Sequence, residues 1–347
     1  MVKIIVDCQG GDHSPEANVD GALLALERLP DAAVLLTGDG ETLERCLAGK
    51  EYDPARVAIL HAPEVIGCDE KPTDAIRLKR ESSMMKAIST LRRDEAGEYA
   101  GIVSTGSTGA LVAASTLRIG RIPGVIRPAF CPILPTMNGG IVGICDSGAN
   151  IDITPDYLQQ FAIMGSLYLQ SVWKIENPRV GLLNIGVEAE KGDNLRREAY
   201  PLLASTPGIN FCGNVEAREL LSGDFDLIVC DGFSGNVLVK STEGACLSML
   251  KKLKTDIMSS LINKIGALFM SGMFKKEKEF MNYQNYGGSV LLGTAKTVVK
   301  GHGSSKATAV AKCVEQVYMT ETGNLNRSIE EAIASLSRCD GSAGTNE

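Results

Sequence analysis

No apolar run in this 347-residue chain approaches the ~18 residues that suggest a membrane-crossing helix. The ten cysteines are dispersed and form no C-x-x-C pair, which sets aside a zinc site or a disulfide framework and fits a reducing cytosol. The three histidines lie far apart, so a histidine-rich metal centre is not expected. The phosphate-loop pattern G-x-x-x-x-G-K-S/T is missing, as is the G-x-S-x-G nucleophile elbow. GDGETL (38–43) supplies G-x-G but places leucine at the third glycine, a weak claim to a dinucleotide site. Excess positive charge is lacking too: a net charge of -7 argues against a nucleic-acid partner. The first residues, MVKIIVD, read as a strand without the long apolar region and cleavage site of a secretory signal.

What is present is a repeated alternation of strand and helix. Short β-rich runs occur at 3–7, 33–37, 56–60, 101–104, 140–145, 179–185 and 226–230. Several are apolar throughout, as parallel strands covered on both faces should be. Between them, Leu158, Phe161, Ala162, Gly165 and Leu169 fall at helical spacing on one stripe. The pattern predicts an α/β class, a three-layer α/β/α domain with a mainly parallel sheet over residues 1–337, and a flexible tail at 338–347. Residues 245–283 differ. They read as a projecting helical hairpin with a turn near Ser271–Gly272. Between 250 and 280 seven lysines face three acids, and IGALFMSGMF (265–274) is apolar on nearly every side. Such a hairpin suits either a dimer partner or a membrane surface.

In open α/β sheets, ligands bind beyond the carboxyl ends of strands, so the following turns are the places to look. CQGGDH, TGSTGA, DSGAN, GVEAEKGDN, DGFSGN and KGHGSSK are six glycine-rich polar turns that suit a phosphate or carboxylate. Each residue also has a plainer reading. Asp7, Asp12 and Asn236 serve equally as caps, His13 as a turn residue, Lys191 as a solvated loop lysine and His61 as a surface histidine. Cys8 and Cys230 read as small buried apolar residues.

Taken in order, eleven blocks closely resemble the bacterial phosphate acyltransferase family, the acyl carrier protein:phosphate transacylases of phospholipid synthesis. They are VDCQGGDHSPE (6–16), DEKP (69–72), RLKRESSM (77–84), STGSTGAL (104–111), DSGANID (146–152), QFAIMGS (160–166), ENPRVGLLNIGVEAEKG (176–192), NVEAREL (214–220), CDGFSGNV (230–237), YGGSVLLG (286–293) and HGSS (302–305). The chain departs from the family pattern at Cys8–Gln9, usually Ala-Met, at Ser107, usually Asn, and at Ser289–Val290, usually Ala-Pro.

The resemblance implies a fold like that of phosphate acetyltransferases and isocitrate-dehydrogenase-like proteins, in a homodimer. It also implies transfer of a long-chain acyl group from acyl carrier protein to inorganic phosphate, with no metal or organic cofactor. A membrane glycerol-3-phosphate acyltransferase would use the product. It assigns catalysis to Lys191, as the cation for phosphate, and Asn236, as oxyanion donor with the backbone of GFSGN. On our reading Asp12, His13, Ser107, Thr108, Asn150, Ser234, His302, Ser304 and Ser305 complete the pocket. The acidic carrier would dock on Arg77, Lys79, Arg80, Lys251, Lys252, Lys254 and Lys264. Leu268, Phe269, Met270, Met273 and Phe274 would touch the inner face of the cell membrane from the cytoplasmic side.

Overall fold

The computed structural model describes residues 1–280 and 283–342. β1 (Val2–Asp7), α1 (Glu16–Arg28), β2 (Ala32–Gly38), α2 (Gly40–Leu47), β3 (Val57–His61), α3 (Pro72–Leu78), α4 (Ser83–Arg92), β4 (Tyr99–Ser104) and α5 (Thr108–Ala114) come first. β5 (Ala129–Cys131), β6 (Ile133–Pro135), β7 (Ile141–Cys145), α6 (Pro155–Ser171), β8 (Arg179–Asn184), α7 (Asn194–Ser205), β9 (Asn210–Glu216) and β10 (Leu227–Val229) follow. Three consecutive helices come next, α8 (Gly232–Met258), α9 (Leu261–Phe269) and α10 (Ser271–Phe280). The chain closes with β11 (Ser289–Leu292), β12 (Thr297–Lys300), α11 (Ala307–Thr322) and α12 (Leu325–Ser342).

The strands divide between two sheets instead of gathering in one. A seven-stranded sheet runs β3-β2-β1-β4-β12-β11-β5, and a five-stranded sheet runs β6-β7-β10-β8-β9. Pairing is parallel except that β11 opposes β12 and β5, and β6 opposes β7. β5 and β6 are separated only by Pro132, so one short segment leaves the first sheet and enters the second.

Side-chain alternation explains the layers. Ile4 and Val6 face a cluster with Val19 and Val310 from α1 and α11, whereas Ile5 faces Met84 and Ile88 from α4. In the second sheet Leu182 and Val229 meet Phe161 and Leu169 of α6, while Ile144 and Ile228 meet Leu238 and Val239 of α8. The cluster under α1, α6 and α11 is continuous across both sheets and joins them. The expected stripe on α6 is buried at Leu158, Phe161, Ala162, Gly165 and Leu169.

The lysine-rich region differs from the expected two-helix hairpin. The first helix breaks at Ser259–Ser260, where Ser260 Oγ accepts the Asn263 N–H at 3.1 Å and caps α9. The turn falls at Met270, just before the expected Ser271–Gly272. Leu268 and Phe269 are exposed, as are Met270 and Met273, while Phe274 is partly covered. No helix among the described residues is long and apolar enough to cross a membrane. α12 continues to Ser342, so the first residues of the expected tail are helical; 343–347 lie outside the described residues.

Candidate active site

Where the two sheets meet, the carboxyl ends of β7 and β12 and the start of α8 enclose a cleft of about 220 Å³. Thr108, Ser147, Asn236, Lys240, Glu243, Ser289, Lys300 and His302 supply its polar walls, with Lys240 Nζ 3.1 Å from the Glu243 carboxylate. Three of these carry the chemistry expected from the sequence: Thr108, Asn236 and His302.

Asn236 is set by the start of α8. Asp231 caps the helix by accepting the Ser234 N–H at 2.8 Å. Gly235 packs on the end of β7, and a β-carbon there would stand 1.9 Å from the Asp146 carbonyl oxygen. Gly235→Ala must therefore displace the helix start that aims Asn236. We expect it to cost about 1–3 kcal/mol of stability or more and to abolish turnover, read by denaturant unfolding beside an activity assay; an unchanged midpoint would refute this account. The Asn236 amide is exposed and makes no hydrogen bond to another described residue, which leaves it available to a substrate oxygen.

In GFSGN the N–H groups of Gly232, Ser234 and Gly235 are already committed. The Gly232 N–H donates to the Asn150 carbonyl at 2.7 Å, and the Gly235 N–H donates to the Asp231 carbonyl at 2.9 Å. With the Ser234 N–H on the cap, the expected backbone oxyanion donors are reduced, and the side-chain amide is left to act. Ser234 itself faces away from the cleft. Its hydroxyl donates to Asp231 at 2.7 Å and accepts from Arg196 at 3.3 Å. Burial pushes the Asp231 carboxyl up, but Ser234 and the Arg196 guanidinium together hold it below its usual value.

Asn150 also supports the site from outside it. Its amide donates to the Pro128 carbonyl at 2.7 Å and to the Asp146 carboxylate at 3.0 Å. Asp146 accepts backbone N–H bonds from Phe130, Ala149 and Asn150, which fix the DSGAN turn. Burial nevertheless raises its pKa to about 6.

Two cations missed in the sequence line the cleft. Lys240 lies four residues after Asn236, one turn along α8, and its Nζ is 3.3 Å from His302 Nε2. That helical spacing was the available signal. Lys300 ends β12 immediately before the GHGSS turn. Its ammonium donates to the carbonyls of Thr105, at 3.3 Å, and Gly301. Burial lowers its pKa to about 8. Asp7, buried at the end of β1, is raised by burial to about 6 and takes a hydrogen bond from Ser104 Oγ at 2.6 Å.

His302 keeps solvent exposure while lining the cleft. Desolvation, followed by the Lys240 ammonium, moves its pKa below the ordinary imidazole value. Ser304 Oγ lies 2.8 Å from its Nδ1. Ser305 is buried and turns its N–H to the His302 carbonyl at 3.0 Å, so it shapes the turn without lining the cleft. Ser107 is likewise buried as the cap of α5, its Oγ accepting the Ala110 N–H at 3.5 Å.

The first glycine-rich turn braces the same end of the sheet. The Asp12 N–H donates to the Gly303 carbonyl at 2.8 Å, tying the turn to the His302 loop. Gly10 has φ +94°, and a β-carbon would stand 2.9 Å from Gly106 Cα, so only glycine permits this approach. His13 is exposed, lies outside the cleft lining, and accepts the Ala17 N–H through its carbonyl at 3.0 Å. Cys8 and Cys230 are buried, and burial pushes both thiols well up, against a nucleophilic role. Among the described residues no group of three or more His, Cys, Asp or Glu is placed to hold a metal ion.

Lys191 stands apart from this group. It is exposed on the loop after β8, where its N–H donates to the Glu188 carbonyl at 3.1 Å and its carbonyl accepts from Asn184 at 3.0 Å. It does not line the cleft. β10 separates β7 from β8, which puts Lys191 on the other side of the α8 start. Of the expected docking residues, Lys79 is tied to Glu70 at 2.6 Å, Arg77 to Asp74 at 3.7 Å and Lys252 to Asp256 at 2.6 Å. Arg80, Lys251, Lys254 and Lys264 are the remaining positions. Arg80 lines a separate groove with Lys86, Arg92, Arg93 and Arg118.

The architecture defines the class first. It is similar to a phosphotransacetylase from Streptococcus pyogenes (TM-score 0.59, 15% identity, 92% of this chain and 94% of that one). It is also similar to a branched-chain phosphotransacylase from Enterococcus faecalis (TM-score 0.55, 13% identity, 92% and 99% covered). At these identities the likeness concerns the fold. The sequence goes further. Residues 2–327 match the model of the fatty acid synthesis protein family. A phosphate acyltransferase from Halalkalibacterium halodurans is 42% identical over 337 residues, 97% of this chain and 98% of the relative. One from Bacillus cereus is 42% identical over 315 residues, 91% and 93%. The chain belongs to this family and is an acyltransferase.

Proposed function

We propose that this acyltransferase transfers a long-chain fatty acyl group from the thioester of acyl carrier protein to inorganic phosphate, releasing acyl phosphate and the carrier thiol. The observation that carries the reading is the single cleft in which the Asn236 amide, Lys240, Lys300 and His302 converge. A thioester carbonyl is already electrophilic, and a thiol with pKa near ~8.5 is a competent leaving group. The site need supply only position and charge.

A phosphate oxygen attacks the carbonyl carbon, with its charge met by Lys300 and Lys240. The carbonyl oxygen becomes an oxyanion to which Asn236 donates. Collapse breaks the C–S bond, the electron pair leaves with sulfur, and the thiolate takes a proton from solvent. Lys191, across the α8 start from the cleft, is kept as a second candidate for the phosphate charge. Asp12, Asn150, Ser107, Ser234 and Ser305 position the turns, while Thr108 and His302 line the cleft for phosphate and Ser304 sits against the His302 ring.

The test is phosphate-dependent release of free thiol from hexadecanoyl-carrier protein by the full chain, with acetyl-CoA as comparator. No release from the carrier by folded protein overturns the reading, and faster release from acetyl-CoA makes it a short-chain enzyme.

We infer further that the enzyme works as a homodimer and meets the membrane through the α9–α10 tip. The exposed Leu268 and Phe269 support the membrane contact, because exposed apolar side chains at a helix end suit the headgroup boundary. The flanking Lys251, Lys254 and Lys264 suit either anionic lipid or the acidic carrier. Replacing Leu268 and Phe269 with aspartate should cut flotation with anionic vesicles at least fivefold and spare turnover on soluble carrier substrate. Unchanged flotation would refute membrane contact at the tip.

A further inference from the structure

We propose that a second, apolar groove beside the cleft is the acyl-chain subsite, which holds a long saturated fatty acyl chain along one face of α8; this rests on the acyl-transfer reading above. The groove and the cleft share two lining residues, Leu134 and Glu243, so they adjoin. Beyond Glu243 the lining turns apolar: Met137, Cys246, Leu247, Leu250 and Phe280.

The order along α8 supports the assignment. Asn236, Lys240, Glu243, Leu247 and Leu250 fall at i, i+4, i+7, i+11 and i+14, one stripe on one helix face. A donor for the carbonyl oxygen, a cation for phosphate with Glu243 paired to it, and an apolar track therefore follow one another in the order a bound acyl thioester needs. At about 1.5 Å of rise per residue the stripe from Asn236 to Leu250 spans about 21 Å, comparable to an extended sixteen-carbon chain.

The groove also has an unmet demand for an apolar occupant. Leu247 is 57% and Met137 75% exposed along its walls. Covering them removes apolar surface from water. About 70 Å³ of the groove is enclosed, so most of a sixteen-carbon chain would lie along its open, mostly apolar wall. Leu253 and Ile257 continue the stripe toward α9, so the far end of the groove leads to the apolar hairpin.

The test places a plug halfway along the track. In the full chain, Cys246→Phe is compared with wild type for kcat/KM of phosphate-dependent thiol release from hexadecanoyl- and octanoyl-carrier protein. Each methylene kept out of the groove forfeits about a fourfold preference. The ratio of sixteen- to eight-carbon activity should therefore fall at least tenfold; an unchanged ratio overturns the subsite.

A second measurement needs no variant. Cys246 is partly exposed, and its alkylation by a maleimide, followed by peptide mass, should slow at least fivefold with hexadecanoyl phosphate and not with inorganic phosphate. Equal labelling with and without the acyl ligand overturns the proposal. Protection that needs no ligand and disappears on dilution would assign the groove to a second copy of the chain and overturn it too. Wild type inactive on both donors would instead defeat the acyl-transfer reading.

Discussion

Asn236→Ala is expected to lower kcat for thiol release by about 10²–10³-fold, the effect of removing one oxyanion donor, and to leave KM for both substrates within a few-fold. Three features make the effect large. The amide makes no hydrogen bond to a described residue, so it is not held by a structural duty. The neighbouring N–H groups of Gly232, Ser234 and Gly235 are spent on Asn150 and Asp231, so they offer no replacement donor. The capped start of α8 fixes its position before substrate arrives, so no reorganisation is needed when charge develops. Thermal unfolding of the variant should match wild type, because the side chain is exposed. A kcat within threefold of wild type would mean another group carries the oxyanion.

The layered fold was legible because the longer buried strands are nearly all apolar: Ala32–Gly38, with Thr37 its one polar side chain, is buried at every position. The division into two sheets was not. It depends on β5 and β6, each of three residues, and on the antiparallel β11, all too short to show a period. The turns could be read from glycine and polar residues, but not which partners they would choose. Asn150 and Ser234 looked like ligands of a substrate and instead satisfy Asp146 and Asp231. Buried carboxylates demand such partners, and a one-dimensional pattern does not reveal which acids are buried. Lys240 was missed although it lies one turn from Asn236, and Lys300 was passed over although it opens the KGHGSSK turn. Burial gives it its chemistry, and burial comes from sheets that meet only in the fold.

That burial makes Lys300 the most pH-sensitive part of the site. With its pKa lowered to about 8, it is mostly charged at neutral pH and loses its charge just above it. KM for phosphate should rise above pH 8, by about tenfold per unit at the limit where the charge is required. Lys300→Arg keeps a charge throughout and should flatten that rise. Lys300→Ala should raise KM for phosphate at least tenfold at pH 7, with KM for the carrier substrate nearly unchanged.

The same residue costs stability. A lysine whose folded pKa lies below its unfolded value of 10.5 penalises the folded state fully below about pH 8, and the penalty is relieved as pH rises toward 10.5. A shift of this size withholds on the order of 3 kcal/mol at neutral pH. Lys300→Met should accordingly raise Tm at pH 7 while weakening phosphate binding, stability exchanged for function at one position. Lys191→Ala is the comparison that locates the anion. It lies across the α8 start from the cleft, so its effect on KM for phosphate should be smaller than that of Lys300→Ala. The reverse order would move the phosphate to the β8 side, and a pH-independent KM would remove Lys300 from phosphate binding altogether.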